Sequence, residues 1–140
     1  MDIEQGDVFW FDFGVPNGSE PGYSRPVIVI QNDMFNRSKI DTVVIIATTT
    51  NYELAQDPGN VLVKKGEGGL PKDSVANISQ LYTVDKSSLT EKIGTLSSAK
   101  IQQIIEGVKV LIKPVDKNLF GKTGTPEQGK EVKYPRGRHR

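Results

Sequence analysis

The chain has 140 residues, 36% of them hydrophobic, which suits one globular domain rather than two. It has no cysteine and a single histidine, His139, so disulfides, thiolate metal sites and a two-histidine acid–base pair are excluded within one chain. The formal charge is only +1, yet residues 1–113 carry 11 Lys/Arg against 14 Asp/Glu, a net of −3, while residues 114–140 carry 7 against 3, a net of +4.

The first element in chain order is Gly6 to Phe13, aromatic-rich and bounded by glycines, which reads as a strand. Gly14 to Ser24 is dense in Gly, Pro, Asn and Ser and reads as a long loop of the kind that carries function. Arg25-Pro26 opens a second strand, Val27 to Asn32, since proline is tolerated at a strand's start and not in its middle. A short helical turn is expected around Met34–Arg37. A third strand is expected over Asp41–Thr50, ending in three threonines. The second and third strands are continuous apolar runs, a pattern of burial on both faces. Asn60–Lys64 and Ser74–Asp85 read as further strands joined by the polar turn Gly66–Gly69. The period changes at Ser97: Ile101, Ile104, Ile105, Val108, Leu111 and Ile112 mark one face of a helix, with Ser97 as N-cap and Pro114 as stop. The expected architecture is five or six short strands in a small barrel followed by one helix over residues 1–113. A basic, flexible tail is expected over 114–140. No run approaches the roughly 20 apolar residues of a membrane span. Met1-Asp2-Ile3-Glu4 opens no basic-then-apolar leader, so no secretory signal is expected.

Several segments together resemble the MazF/PemK (Kid) toxin family of type II toxin–antitoxin systems. They are Gly6-Asp7-Val8, Gly18-Ser19-Glu20-Pro21-Gly22, Arg25-Pro26-Val27-Ile28-Val29-Ile30, Asn32, Asn36-Arg37, Thr48-Thr49-Thr50, and Ser74-Val75 with Gln80 and Thr83-Val84-Asp85-Lys86. Each piece is short; their order and spacing carry the resemblance, which covers roughly residues 4–112. It implies a mainly β fold, an SH3-like barrel with a C-terminal α-helix, and a symmetric homodimer. It further implies selective cleavage of single-stranded RNA, inhibition by an acidic MazE-like antitoxin, and DNA contact only through the antitoxin complex. No cofactor, metal or membrane is implied, and the expected location is cytoplasmic. A gyrase poison of the CcdB type on the same fold is the main rival, since fold alone does not define activity. That class needs an apolar, aromatic C-terminal tip, whereas this chain ends Arg136-Gly137-Arg138-His139-Arg140.

RNA is cut without a metal when its own 2′-OH attacks the adjacent phosphorus, leaving a 2′,3′-cyclic phosphate and a 5′-OH. The step needs charge stabilised on the phosphate and protons moved at two oxygens. Arg25 falls on the family's catalytic arginine, and a guanidinium grips a phosphate at two points. On composition alone an Arg pairing with Asp or Glu at a strand edge is the favoured reading, and the resemblance reverses this. Thr48 falls on a position where MazF-type members carry a catalytic Thr or Ser, although threonine is also simply a good strand residue. Glu20, in the loop, is a third catalytic candidate as proton acceptor or loop organiser. Ser19, Tyr23, Gln31, Asn32, Asn36, Thr49 and Gln80 are candidate RNA contacts through hydroxyl, ring or amide groups, each of which can equally satisfy backbone. The Arg and Asp proposed as acid and base in PemK-type members align with Asn77 and Ser79, so that assignment does not carry over. Trp10, Phe9 and Phe11 read as core.

Overall fold

The computed structural model describes residues 2–15, 18 and 23–116. Six antiparallel strands form one sheet in the order β4-β5-β3-β2-β1-β6: β1 Asp7–Asp12, β2 Ser24–Val29, β3 Thr42–Thr49, β4 Val61–Val63, β5 Ser74–Asp85 and β6 Glu91–Thr95. The short helix α1, Asp33–Asn36, follows β2, and α2, Ser98–Ile112, closes the described chain. The expected mainly β fold with a C-terminal helix is what forms, curled into a half-barrel. Strand β6 was not legible as a strand, because Glu91-Lys92-Ile93-Gly94-Thr95 carries one large apolar residue in five.

The apolar runs of β2 and β3 are consumed by two cores on opposite sides of the sheet. Val8, Ile28, Ile46, Ile78 and Ile104 lie in one, beneath α2. Phe9, Val27, Val29, Val43 and Ile45 lie in the other, covered by Ile3 and Leu89. Every apolar position of Val27–Val29 is fully buried within one chain, so the length of these runs is no argument for a partner. The helix is different. Ser97 caps it as expected, its hydroxyl accepting from Lys100 N, and Ile101 and Ile104 are buried, but Leu111 and Ile112 stay 46% and 68% exposed. The apolar face is therefore used in its first half and left open in its last turn.

The half-barrel closes by backbone contact rather than by a seventh strand pairing. The 3-10 turn Glu67–Gly69 packs against β6. Gly69 sits at φ +75°, and a Cβ there would lie 1.9 Å from the Ile93 carbonyl oxygen; one on Gly94 would lie 2.4 Å from Gly68. Only glycine admits that approach. Gly69→Ala is expected to cost more than about 1 kcal/mol, because both the positive φ and the contact forbid a side chain. Gly66→Ala, at φ +95° but with nothing within 4 Å of its Cβ, bears only the backbone penalty and should cost less. Urea denaturation of the two variants checks the order.

Candidate active site

The site begins with a missing backbone donor. Ile30 N donates to the Val44 carbonyl at 3.1 Å, and β2 pairs with β3 through Ile28↔Ile46. Hydrogen-bonded pairs recur every second residue in an antiparallel ladder, so the next would be Pro26 with Thr48. Proline has no N–H, and the β2–β3 pairing stops at Val27↔Ala47. Two side chains take over. Arg25 Nη1 donates to the Thr48 carbonyl at 3.2 Å, the acceptor that an N–H at position 26 would have met. The Thr48 hydroxyl donates to the Pro26 carbonyl at 2.6 Å. The guanidinium is thereby fixed at the frayed end of the ladder.

Around this junction lies an open pocket of about 260 Å³ lined by Trp10, Ser24, Arg25, Pro26, Thr48, Thr49, Thr50, Pro71, Lys72 and Ser74. Arg25 is half-buried and Thr48 is 2% exposed. With its proton committed to Pro26, the Thr48 hydroxyl retains acceptor capacity. Thr49 Oγ1 accepts from Asn51 N at 3.1 Å, which ties the threonine run to the turn that follows. Tyr23 precedes Ser24 in the left-handed region at φ 57° and is 65% exposed; its carbonyl accepts from Phe13 N.

Arg25, Thr48 and Thr49 are thus brought together, with Tyr23 at the flank. Ser19 and Glu20 lie outside the described residues. Gln31, Asn32 and Asn36 are not at the pocket. Six residues of extended chain, about 20 Å, separate them from Arg25. There they hold α1 in place: Asn32 caps it by accepting from Met34 N, Asn36 donates to the Gln31 carbonyl and to Asp33, and Gln31 donates to the Thr42 carbonyl. Hydrogen bonds from Gln5 N and Asn36, with Arg37 nearby, hold the Asp33 carboxyl below its ordinary range despite partial desolvation. Gln80 accepts from the Tyr82 hydroxyl at 2.7 Å, and the Tyr82 ring packs on Phe13 in the second core.

Asn77 and Ser79 prove to be fasteners. Ile46 pairs with Leu81 while Thr48 pairs with Ala76, so Asn77 to Gln80 bulge out of β5 against Ala47 alone. Asn77 Oδ1 accepts from both Asn60 and Ser79, and Asn60 Oδ1 takes the Ile78 N–H. Trp10, Pro71, Lys72 and Ser74 were missed as site residues. Strand alternation separates Trp10 from the fully buried Phe9, but the pocket wall beyond β3 comes from the β4–β5 connection, which local pattern does not align with Arg25.

The fold and the pocket define a class: a small antiparallel half-barrel with an arginine and a buried hydroxyl at the frayed end of its second and third strands. Residues 4–112 match the model of the PemK-like, MazF-like toxin of type II toxin–antitoxin systems. The chain is 37% identical over 109 residues to endoribonuclease MazF6 of Mycobacterium tuberculosis, covering 78% of this chain and 96% of that one. It is 34% identical over 116 residues to endoribonuclease EndoA of Bacillus subtilis, covering 83% and 99%. Among solved structures, a mycobacterial endoribonuclease in complex with its cognate antitoxin superposes with TM-score 0.65 at 21% identity, over 81% of this chain and 99% of that one. MazF of Deinococcus radiodurans superposes with TM-score 0.66 at 16% identity over the same shares, which shows the fold. The chain belongs to the PemK/MazF toxin family.

Thr48→Val should destabilise the fold by about 0.5–1.5 kcal/mol, since it removes the hydrogen bond that the hydroxyl donates to the Pro26 carbonyl. Thr48→Ser keeps the donor and should lie close to the parent. Chemical denaturation of both checks this.

Proposed function

We propose that the protein is a toxin endoribonuclease that cuts single-stranded RNA, messenger RNA included, at a short sequence motif, arresting growth unless a cognate antitoxin neutralises it. The observation that carries the reading is the guanidinium of Arg25, docked on the Thr48 carbonyl beside the Thr48 hydroxyl in an open pocket. The named activity of its relatives supports it. A scissile phosphate in this pocket meets a fixed positive charge. The RNA 2′-oxygen forms a bond to phosphorus, the bond to the 5′-oxygen breaks, the departing 5′-oxygen takes a proton from water, and the products are a 2′,3′-cyclic phosphate and a 5′-OH. Arg25 stabilises the charge that builds on the non-bridging oxygens. That charge stabilisation is the task a metal would otherwise serve, so we propose metal independence. Thr48 accepts a hydrogen bond from the attacking 2′-OH and orients it. Glu20, in the loop that precedes Arg25, is proposed as the group that takes the 2′ proton, with Ser19 beside it on the RNA.

We propose a homodimer in which the exposed Val110, Leu111 and Ile112 of α2 find cover. The antitoxin is proposed to be an acidic MazE-like protein, in line with the antitoxin complexes among the structural neighbours. The basic tail is proposed to add salt-sensitive attraction to RNA. Among the described residues no helix is long and apolar enough to cross a membrane. We place the activity in the cytoplasm, where messenger RNA is available.

Single-turnover cleavage of one long RNA tests the reading. Arg25→Ala should lose about 10²–10³ in rate while staying folded, by analogy with removal of one oxyanion donor. Arg25→Lys should not rescue, because a point charge does not reproduce a planar fork. Unaltered activity in EDTA and 5′-OH ends on the fragments are expected. A folded Arg25→Ala protein that cuts within a few-fold of the parent would overturn the site.

Pro26→Ala addresses the positioning of Arg25. It restores an N–H that competes with the guanidinium for the Thr48 carbonyl. Cleavage should fall while the unfolding midpoint holds or rises. A loss of stability in step with rate would mean that the proline only braces the fold.

A further inference from the structure

The wall of the pocket opposite Arg25 continues into a basic corner. Lys72 lines the pocket and enters β5, whereas Lys64 and Lys65 leave β4. The β4–β5 register pairs Val63 with Ser74, and its extension sets Lys65 across from Lys72. All three lysines are exposed. Three of the 11 cations of residues 1–113 thus stand at one end of one hairpin, in a segment whose net charge is −3. The two carboxylates of the same hairpin are occupied. Glu67 Oε2 accepts from Lys64 N at 3.0 Å and pairs with Lys100 at 3.7 Å. Asp73 Oδ1 accepts from Lys65 N at 2.7 Å, and this bond, with the charges of Lys64 and Lys65 nearby, holds its carboxyl below the ordinary range. Among the described residues, the ammonium groups of Lys64, Lys65 and Lys72 form no ion pair. Tyr52 is 46% exposed and belongs to the turn that follows Thr48-Thr49-Thr50 out of the pocket. The turn that carries Tyr52 packs against β5, and the Asp73 carboxylate near its phenol raises the phenol above its ordinary pKa.

We propose that Lys64, Lys65 and Lys72, with the Tyr52 ring, form a shelf that carries one arm of a single-stranded nucleic acid out of the pocket, the lysines on phosphates and the ring on a base. The inference rests on the reading of the pocket as an RNA site. Continuity with that pocket and an aromatic platform favour a polynucleotide over an acidic peptide, which has no bases to stack. The shelf makes the site length-sensitive. An oligonucleotide confined to the pocket meets Lys72 alone, whereas one that extends along the shelf gains affinity and salt dependence from Lys64 and Lys65 as well.

The test is fluorescence anisotropy with 2′-O-methyl oligonucleotides of random sequence, which cannot be cut, as tetramers and as dodecamers across a salt series. The parent protein should bind the dodecamer more tightly and with a steeper salt slope. In the Lys64→Ala/Lys65→Ala/Lys72→Ala protein the slope for the dodecamer should fall by about 2, at about 0.7 per phosphate on a single strand. Tetramer binding should hardly move in the Lys64→Ala/Lys65→Ala protein, which leaves the pocket-lining Lys72 in place. Replacing the three lysines by arginine should preserve the slope. Tyr52→Leu should weaken dodecamer binding several-fold without changing the slope. A triple alanine variant with the parent's length and salt dependence overturns the proposal, and so does one that loses only its affinity for a poly-glutamate peptide. Cleavage of RNA by the parent protein is scored separately. Cleavage with no lysine-dependent length effect sinks the shelf and spares the ribonuclease, and lysine-dependent binding without cleavage does the reverse.

Discussion

The structure turns on one absent hydrogen. Proline at position 26 removes the N–H that the β2–β3 ladder needs opposite Thr48, at the point where the two strands leave the core. A ladder that loses one donor must satisfy the one orphaned carbonyl, that of Thr48, some other way or bear the cost of leaving it unpaired. Here Arg25 serves that carbonyl, and the Thr48 hydroxyl adds a second tie across the junction to the Pro26 carbonyl. The two side chains that close the break are the two with the chemistry for a phosphate. Fraying opens the pocket, and the repair arms it.

That junction stays put because the strands behind it cannot slip. Val27, Ile28 and Val29 alternate between two cores, and a shift of one residue would exchange the two sets. Each fully buried aliphatic side chain contributes roughly 1.5–3 kcal/mol relative to exposure, so register is held more firmly than any single polar contact could hold it. Closure at the far edge is of another kind. There the absence of side chains on Gly68, Gly69 and Gly94 lets backbone meet backbone. A hairpin end so anchored presents Lys72 and Pro71 to the pocket from a fixed direction.

The two ends of β2 do separate work. Beyond Val29, a polar knot of Gln31, Asn32, Asp33 and Asn36 spends its amides and carboxylate on α1 and on β3, with Lys86 Nζ donating to the carbonyls of Phe35, Asn36 and Ser38. Such groups resemble base readers in type. Their hydrogen bonds are already made within the chain, at the opposite end of the strand from the arginine.

Much of this was legible in the residues themselves. Continuous apolar runs, a proline at a strand's start, a serine cap and a 3.6-residue period determined most strands, α2 and its N-terminus, since these follow from local sterics and burial. The order of short motifs singled out Arg25 and Thr48. Strand β6 escaped because it is held by β1 and by the glycine turn rather than by its own composition. Only the tertiary structure decided which polar residues share a site. Thr48 and Arg25 are 23 positions apart and meet through a ladder register; Gln31 and Asn36 are close to Arg25 in sequence and far from it in space. Trp10 and Lys72 joined the pocket from separate parts of the chain, because contacts between distant elements are set by how the sheet curls and closes, and no local pattern encodes that.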